Sequence, residues 1–373
     1  MKGLVTGGAG FIGSHLVDGL LSAGHEVRVL DAIVPQVHGE GDARPEYLSD
    51  DAELIVGDVR DREVLAKALD GVEAVFHDAA AVGVGQSMYD IADYVGANVL
   101  GTAILLEELL DRRDQIRKVV VASSMSNYGE GRYRTAGGEL RAPQPRPVGQ
   151  LDARDWELRD PETGEPLTAV PTDEEKPLHP TSVYATTKRD QEELVLNVCR
   201  AYEIPATALR YFNVYGSRQA LSNPYTGVAA IFSGRILNDE PPLIFEDGRQ
   251  SRDFTHVDDI VQANLLVLDH DDADGRVFNV GTGQPTNLLE LCTLLLEHLG
   301  KAETLQPELV GQFREGDIRH CYADISAIGE LGYRPQIPLA DGVGALVDWV
   351  SKQSSVDRVP GALAELEQRS LIR

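Results

Sequence analysis

A glycine-rich turn near the start of the chain constrains its fold more than any other feature. Gly7, Gly10 and Gly13 follow the spacing G-x-x-G-x-x-G between a short apolar strand and a helix with one apolar face. Such a turn needs residues without a Cβ where the chain reverses, where its amides approach a pyrophosphate, and where helix and strand pack closely. The helix N-terminus then faces the anion. We therefore predict a dinucleotide-binding strand–turn–helix unit, with Phe11 and Ile12 among the contacts.

The acidic residue that follows the second predicted strand, residues 26–30, indicates which dinucleotide is bound. Asp31 can hydrogen-bond a ribose diol, and its charge would repel a ribose 2′-phosphate. None of the next three residues is an arginine that could bind such a phosphate. The sequence thus predicts NAD rather than NADP. The alternative is a glycine-rich turn in another kind of α/β unit.

Length, charge and cysteine content narrow the class of protein. A chain of 373 residues suggests two domains, or one domain with a lobe. Its 60 acidic and 34 basic residues give a formal net charge of -26, which disfavours nucleic acid and anionic membranes as partners. Cys199, Cys292 and Cys321 lack metal-ligand spacing and are too few for a disulfide framework, so we expect no metal. Without a membrane-length apolar run or room for a signal peptide, a soluble cytoplasmic protein is expected.

Later strands of the same sheet add candidate cofactor contacts. Asp58 follows the strand at residues 53–56 and can reach an adenine amino group, or it can cap the helix that begins near Arg62. Small side chains at three positions after the strand at residues 74–77 would let a cofactor lie against the backbone. The further candidate contacts are Val59, Ala79, Ala80, Ala81 and Asn98.

Asp78 is unusual in this stretch. It places a carboxylate at the end of a nearly apolar strand. Such a group is either hydrogen-bonded to backbone amides or partly exposed, and the sequence leaves both alternatives open.

Candidate catalytic residues come from a strand end and a helix. Ser124 follows the strand at residues 118–122, where a doubly wound sheet carries its chemistry, although serines there can also serve a simple turn. Tyr184 and Lys188 are four residues apart, so they share one helix face. A phenol normally titrates near ~10, and a nearby ammonium group and nicotinamide cation both favour the phenolate. We predict that Lys188 lowers the pKa of Tyr184 and binds the nicotinamide ribose.

Together these residues resemble the extended short-chain dehydrogenase/reductases, specifically the nucleotide-sugar epimerases and dehydratases. Three further stretches make the resemblance specific: residues 210–216 (RYFNVYG), 252–259 (RDFTHVDD) and 314–317 (REGD). Within the family the chain is most similar to 4-epimerases of UDP-glucose type, particularly dTDP-L-rhamnose 4-epimerase-like proteins. That subgroup resemblance rests on residues 128–133 (YGEGRY), 156–157 (WE) and 218–227 (RQALSNPYTG).

The resemblance implies an α/β fold: a Rossmann-type doubly wound parallel sheet with a smaller α/β C-terminal substrate lobe. It implies an NAD-binding domain over residues 1–211 and a nucleotide-sugar-binding lobe over residues 212–373, with some segments returning to the sheet. Residues 130–179 form a long insertion that could be a lid, a subunit contact or a passive surface loop. A homodimer is expected through helices at residues 94–110 and 184–202.

The resemblance also implies which residues meet the substrate. Asn213, Arg252 and Arg314 would contact the diphosphate, and Asp317 the nucleoside ribose; guanidinium groups suit phosphate oxygens. Cys321 lies where some relatives limit the size of the sugar, although it could equally be a buried strand residue. The other substrate candidates are Ser124, Met125, Ser126 and Asn223, and Tyr211 is a cofactor candidate.

A departure from the family pattern narrows the reaction. Dehydratases of this family carry an Asp–Glu pair directly after the catalytic Ser or Thr, and decarboxylases keep a Glu there. This chain has Met125 and Ser126 instead, so acid–base chemistry at C5 or C6 has no evident agent. The expected activity is NAD-dependent 4-epimerisation of a nucleoside-diphosphate sugar. The alternatives are a net nucleotide-sugar oxidoreductase or 4-ketoreductase and, further behind, a dehydratase, a decarboxylase or a non-catalytic cofactor sensor.

Overall fold

The computed structural model describes residues 1–39, 44–220, 223–314, 316–353 and 357–373. Its strands, in chain order, are β1 (Lys2–Thr6), β2 (Glu26–Asp31), β3 (Glu53–Val56), β4 (Ala74–His77), β5 (Lys118–Ser124), β6 (Arg132–Arg134), β7 (Leu140–Arg141), β8 (Thr168–Val170), β9 (Ala206–Tyr211), β10 (Asn213–Tyr215), β11 (Leu243–Ile244), β12 (Ser251–His256), β13 (Val277–Val280), β14 (Pro285–Asn287), β15 (Glu308–Leu309) and β16 (His320–Cys321).

Helices cover both faces of the main sheet and make up much of the chain outside it. The α-helices are α1 (Phe11–Ser22), α2 (Pro35–His38), α3 (Arg62–Ala68), α4 (Val84–Ser87), α5 (Ile91–Tyr94), α6 (Gly101–Leu110), α7 (Val148–Asp152), α8 (Val183–Ala201), α9 (Val228–Leu237), α10 (Val257–Leu268), α11 (Leu288–His298), α12 (Ser326–Glu330), α13 (Leu339–Val350) and α14 (Val359–Gln368). A π-helical stretch, Val95–Leu100, joins α5 to α6. Helix α2 is a single short turn that begins at Pro35, where proline favours helix initiation.

The main sheet is parallel and has the strand order β13-β9-β5-β4-β1-β2-β3. Apart from the edge strand β3, its strands are almost wholly buried and mostly apolar, as expected where helices cover both faces. The order reverses between β1 and β4, so the crevice at their carboxyl ends is the natural ligand position. This arrangement confirms the predicted doubly wound α/β fold.

Two apolar clusters attach the helices to the two faces of this sheet. One joins α1 and α10 through side chains such as Leu16, Val17 and Ile260. The other joins α3, α6 and α8 through Leu65, Leu105 and Val195, among others. Helix α8 is therefore held rigidly, with Ser182 capping its N-terminus by accepting the Ala185 backbone N–H at 3.1 Å.

A second, smaller sheet lies beyond β9. Strand β12 pairs in parallel with β10 and β16 and antiparallel with β14, while β13 returns to the main sheet. Its core is a separate apolar cluster that includes Phe254, Leu295 and Leu346. Strands β6, β7 and β8 form a small antiparallel sheet within the insertion. Over the ranges described, no helix is long and apolar enough to cross a membrane.

Candidate active site

The glycine turn between β1 and α1 leaves room for a ligand only because it lacks side chains. Gly7 has φ +72°, and a Cβ there would lie 2.9 Å from the backbone of Ala79. A Cβ on Gly13 would lie 2.3 Å from the Gly7 carbonyl oxygen. Helix α1 starts after Gly10, and none of the described side chains caps it. Its free amides therefore face the turn, which suits a pyrophosphate.

Asp31 lies beside this turn, at the carboxyl end of β2. Its two oxygens accept backbone N–H groups from Ala9 at 3.0 Å and Ile33 at 2.9 Å. These bonds orient the carboxylate at the strand end, where the ribose of a dinucleotide would lie. Together with the glycine turn, this placement fits NAD.

Asp58 does not cap helix α3, so that alternative is wrong. The N-cap is Asp61, whose carboxylate accepts the Glu63 and Val64 backbone N–H groups. Asp58 instead pairs with Arg60, whose guanidinium donates to both of its oxygens at 2.9 and 2.6 Å. Hydrogen bonding from Arg60 lowers the pKa of Asp58.

Asn98 connects the cofactor side of the sheet to the helix that carries Tyr184. This buried side chain accepts the Ala81 backbone N–H at 2.7 Å and donates to the Ala81 carbonyl at 3.1 Å. It also donates to Thr187 Oγ1 at 2.9 Å, and Thr187 in turn donates to the Tyr184 carbonyl. The chain after β4 is therefore held in register with α8.

Ser124 and Tyr184 come together from β5 and α8. Burial raises the pKa of Tyr184, and hydrogen bonding to the Ser124 side chain opposes that effect. The Ser124 hydroxyl also accepts a hydrogen bond from Ser126 Oγ at 2.8 Å. Tyr94 packs edge-on against the Tyr184 ring, with 6.5 Å between centroids.

Lys188 is buried on the same face of α8 as Tyr184. Its Nζ donates to Gln191 Oε1 at 2.8 Å. Its effect on the pKa of Tyr184 stays a prediction, since in the described chain the influences on that phenol are burial and the hydrogen bond with Ser124. Burial lowers the pKa of Lys188 itself to about 8. Sequence reasoning missed Gln191, although its i, i+3 spacing from Lys188 was a usable signal.

A buried ion pair beneath the site was also missed. Arg210, at the end of β9, donates to both oxygens of Glu192 on α8, at 2.9 and 2.5 Å. Glu192 also accepts from Ser123 Oγ at 2.6 Å, and Arg210 donates to the Tyr128 hydroxyl at 2.8 Å. The pair joins β5, β9 and α8 just below Ser124 and Tyr184. The two partners are 18 residues apart, so no local pattern marks them.

The residues predicted to meet the diphosphate have different environments. Asn213 Oδ1 is buried and, within the described chain, has no hydrogen-bond partner. Arg252 donates to the backbone carbonyls of Ser251, Arg319 and Ile318, at 2.8, 3.0 and 2.7 Å. Its guanidinium is thus well oriented by protein acceptors.

Arg314 and Asp317 pair with each other. Arg314 Nε donates to Asp317 Oδ2 at 2.8 Å, and its guanidinium lies over the ring of Phe245 at 4.7 Å from the centroid. Residues 221, 222 and 315, which belong to the sequence motifs, lie outside the described residues.

Cys321 lies in a buried cluster with Met125, Tyr128 and Phe212. Its thiol lies 3.8 Å from Thr172 Oγ1, and burial raises its pKa to about 12. This position agrees with the alternative of a buried strand residue. Of the remaining candidates, Asn223 Oδ1 accepts the Tyr225 backbone N–H and a Gln36 amide N–H, and the Tyr211 hydroxyl donates to Asn264 Oδ1 at 3.1 Å.

The insertion is attached to the smaller lobe by buried ion pairs. Arg146 donates to both oxygens of Glu246, and Arg319, whose side chain is 0% exposed, also contacts Glu246 at 3.0 Å. Arg319 further pairs with Glu157 of the insertion and with Asp247. Such bonding holds the insertion beside Arg252 and Cys321. Across the described ranges, no group of three or more His, Cys, Asp or Glu side chains is arranged to hold a metal.

The fold and this site define a class of protein, a nucleotide-binding α/β enzyme of the short-chain dehydrogenase/reductase type. The chain belongs to the NAD dependent epimerase/dehydratase family, whose model matches residues 3–149 and 160–281.

Individual relatives resemble the chain over nearly its whole length. The dTDP-L-rhamnose 4-epimerase of Burkholderia thailandensis is 34% identical, over 94% of this chain and 95% of that protein. The UDP-glucose 4-epimerase of Mycolicibacterium smegmatis is also 34% identical, over 95% of this chain and 100% of that protein. Among solved structures, UDP-glucose 4-epimerase from Thermotoga maritima with UDP-glucose is 32% identical, with TM-score 0.75 over 94% of this chain and 99% of that one.

Another similar structure contains both a nucleotide sugar and NAD. The UDP-glucuronic acid 4-epimerase from Bacillus cereus, in complex with UDP-glucuronic acid and NAD, is 29% identical, with TM-score 0.76 over 94% of this chain and 99% of that one.

Proposed function

We propose that the protein is an NAD-dependent nucleoside-diphosphate-sugar 4-epimerase that inverts C4 through a 4-keto intermediate. The observation that carries this proposal is the meeting of Ser124 and Tyr184 at the carboxyl edge of the sheet, followed by Met125 and Ser126 rather than by acids. Hydroxyl groups suffice to move the proton of a sugar 4-OH, whereas elimination or decarboxylation needs a further acid or base. The relatives named as 4-epimerases support the same reaction.

The proposed catalytic residues have different roles at the sugar 4-OH group. Tyr184, as phenolate, takes the hydroxyl proton and later returns it. Ser124 hydrogen-bonds the same oxygen and lowers the pKa of the phenol. Bound NAD supplies a reversible hydride acceptor for C4. Lys188 carries a positive charge near the ribose and favours the phenolate once the cofactor is in place.

The cofactor contacts that we propose follow the crevice at the carboxyl ends of the strands. The glycine turn binds the pyrophosphate, and Asp31 binds the adenosine ribose diol, which favours NAD over NADP. Asn98 keeps the chain after β4 flat against the cofactor. The full proposed set is Gly7, Gly10, Phe11, Ile12, Gly13, Asp31, Asp58, Val59, Ala79, Ala80, Ala81, Asn98, Tyr184, Lys188 and Tyr211.

The substrate is anchored through its diphosphate, so that the hexose can turn over while the nucleotide stays in place. The proposed anchors in the smaller sheet are Asn213, whose buried oxygen has no partner among the described residues, and Arg252, oriented by carbonyl groups. When the nucleotide binds, the guanidinium of Arg314 would either break its hydrogen bond with Asp317 or keep it while also contacting the diphosphate. Because buried ion pairs hold the insertion, we propose that it forms a rigid wall of the sugar pocket rather than a moving lid.

We propose that the protein is a homodimer in the cytoplasm. Ile91, Val95 and Leu100 are 51%, 42% and 52% exposed in one helical stretch, and Tyr202 is 45% exposed at the end of α8. Exposed apolar side chains on neighbouring helices suit a partner surface. The three cysteines are free thiols, as suits a reducing compartment. Light scattering after size exclusion tests the dimer.

The decisive experiment is incubation of the purified protein, without added cofactor, with dTDP- and UDP-hexoses. The panel includes dTDP-L-rhamnose and the glucose and galactose pairs, and NMR resolves the products at C4. We expect inversion at C4 without net absorbance change at about 340 nm, because a cofactor that receives and returns a hydride is unchanged overall. NADH accumulation without inversion of any sugar would reject the epimerase and favour a net oxidoreductase.

A further inference from the structure

Asp78 is the acidic residue whose environment the sequence left open. It follows β4 directly, and its backbone N–H donates to the Thr6 carbonyl at 3.2 Å. Its side-chain Oδ2 is buried and finds no hydrogen-bond donor in the part of the chain that the structure describes. The residue as a whole is partly exposed, as one sequence-based alternative held, but this oxygen is neither exposed nor bonded to a backbone amide of the described chain. A buried carboxylate oxygen without a donor is unfavourable unless a charge faces it.

The charge that faces Asp78 is the ammonium group of Lys188. The Lys188 Nζ is held by Gln191, whose amide nitrogen lies 3.4 Å from the carbonyl of Ala79, the residue after Asp78. Burial raises the pKa of Asp78 to about 7, and Lys188 opposes that rise. Burial likewise lowers the pKa of Lys188 to about 8, and Asp78 opposes that fall. Each group thus favours the charged form of the other.

The other titratable groups around this pair cannot replace Asp78. Glu192 also faces Lys188, but both of its oxygens are bound by Arg210. His77 is neutral, because burial foremost and Lys188 next lower its pKa to about 3. Tyr211 is neutral as well, since burial raises its pKa well above the ordinary value and Asp78 adds to the rise. Among the described groups, Asp78 is the carboxylate near Lys188 that no cation already neutralises.

Building on the proposed function, we propose that Asp78 is a positioning residue, which keeps Lys188 protonated and directed at the cofactor side of the crevice. Asp78 follows the end of β4 and Lys188 lies on α8, so the carboxylate does not itself need to touch the substrate. Without it, the lysine would lose much of its charge at neutral pH and with it much of the attraction that favours the Tyr184 phenolate.

The test is a titration of lysine side chains in the protein with NAD bound. Protein labelled with carbon-13 at lysine Cε has only seven lysines to resolve, and Lys188→Arg assigns the relevant signal. In Asp78→Asn, we expect the titration midpoint of Lys188 to fall by about one pH unit or more, since a buried opposite charge is lost. The matched control is Asp190→Asn, which removes a carboxylate from α8 itself and should leave the midpoint in place.

A second variant and a second readout keep the outcomes distinct. Asp78→Leu removes the charge without burying an amide group, so it replaces Asp78→Asn if that variant folds poorly. It should lower the titration midpoint of Lys188 by the same amount. The alkaline limb of the kcat profile should move to lower pH in both variants while KM stays unchanged. If the titration midpoint of Lys188 is unchanged in a folded variant, the proposal is wrong. This holds even where the variant has lost its bound NAD. Because the titration needs no substrate, its result is independent of whether the wild type inverts any sugar.

Discussion

Arg146 of the insertion and Glu246 of the smaller lobe are joined by two buried hydrogen bonds, of 3.0 and 2.7 Å. The same carboxylate also receives Arg319 at 3.0 Å. Two guanidinium groups therefore share one buried carboxylate, and Arg319 also pairs with Glu157 and Asp247.

Glu246→Gln is expected to lower the free energy of unfolding by about 3–5 kcal/mol, because it leaves the buried Arg146 guanidinium without its hydrogen-bonded carboxylate. Urea titration followed by circular dichroism measures the change. The control is Glu139→Gln, which breaks an exposed pair with Arg141 in the same insertion and should change stability by no more than about 1 kcal/mol. Equal stability of the two variants would contradict the assignment of a rigid, charge-bonded insertion.

Tyr184→Phe should reduce kcat by about 10²–10⁴-fold, since it removes the group that accepts the 4-OH proton. Bound NAD, measured from the nucleotide released on denaturation, should stay near the wild-type amount. Tyr202→Phe at the end of the same helix removes only an exposed hydroxyl and should retain activity. If Tyr184→Phe turned over substrate at the wild-type rate, the proton must be moved by another group.

Gly13→Ala should destabilise the protein by about 1–3 kcal/mol and release bound NAD, because backbone atoms around the new Cβ cannot move aside as a flexible side chain could. Thermal unfolding and the amount of copurified nucleotide report the two effects. Gly149→Ala is the matched control, because this glycine lies within α7 and a Cβ there would meet no described atom within 4 Å. That variant should be neutral or more stable by up to about 1 kcal/mol.

His77→Gln should flatten the dependence of stability on pH. The ordinary pKa of 6.5 applies in the unfolded chain, whereas burial lowers the folded value to about 3. Between these values the unfolded chain binds more protons, so wild-type stability rises with pH, with a contribution of up to about 1.4 kcal/mol per pH unit from this group. Removing the imidazole deletes that contribution. Urea titrations at several pH values between 4 and 7 measure the slope, and an unchanged slope would show that His77 is not the group responsible.

Much of the fold could be predicted because its signals are local. The glycine spacing and the apolar strands with intervening helical patterns each depend on neighbouring residues, and the structure confirms the parallel sheet that they indicate. The juxtaposition of Ser124 and Tyr184 was also predictable, since strand ends of a parallel sheet share one edge. The sequence left open whether Asp58 caps α3, and the cap is Asp61: both residues precede the helix, and only the backbone path decides which one reaches its amides.

The sequence by itself determined the class of fold, the dinucleotide turn and the order of the site residues, because steric and periodic constraints act over a few residues. Only the tertiary structure decided the electrostatics. It brought Glu192 to Arg210, Arg146 to Glu246 and Asp78 to Lys188 across long stretches of chain. Whether a charge is neutralised depends on which group faces it after folding and on how much water is excluded, and sequence spacing carries neither quantity.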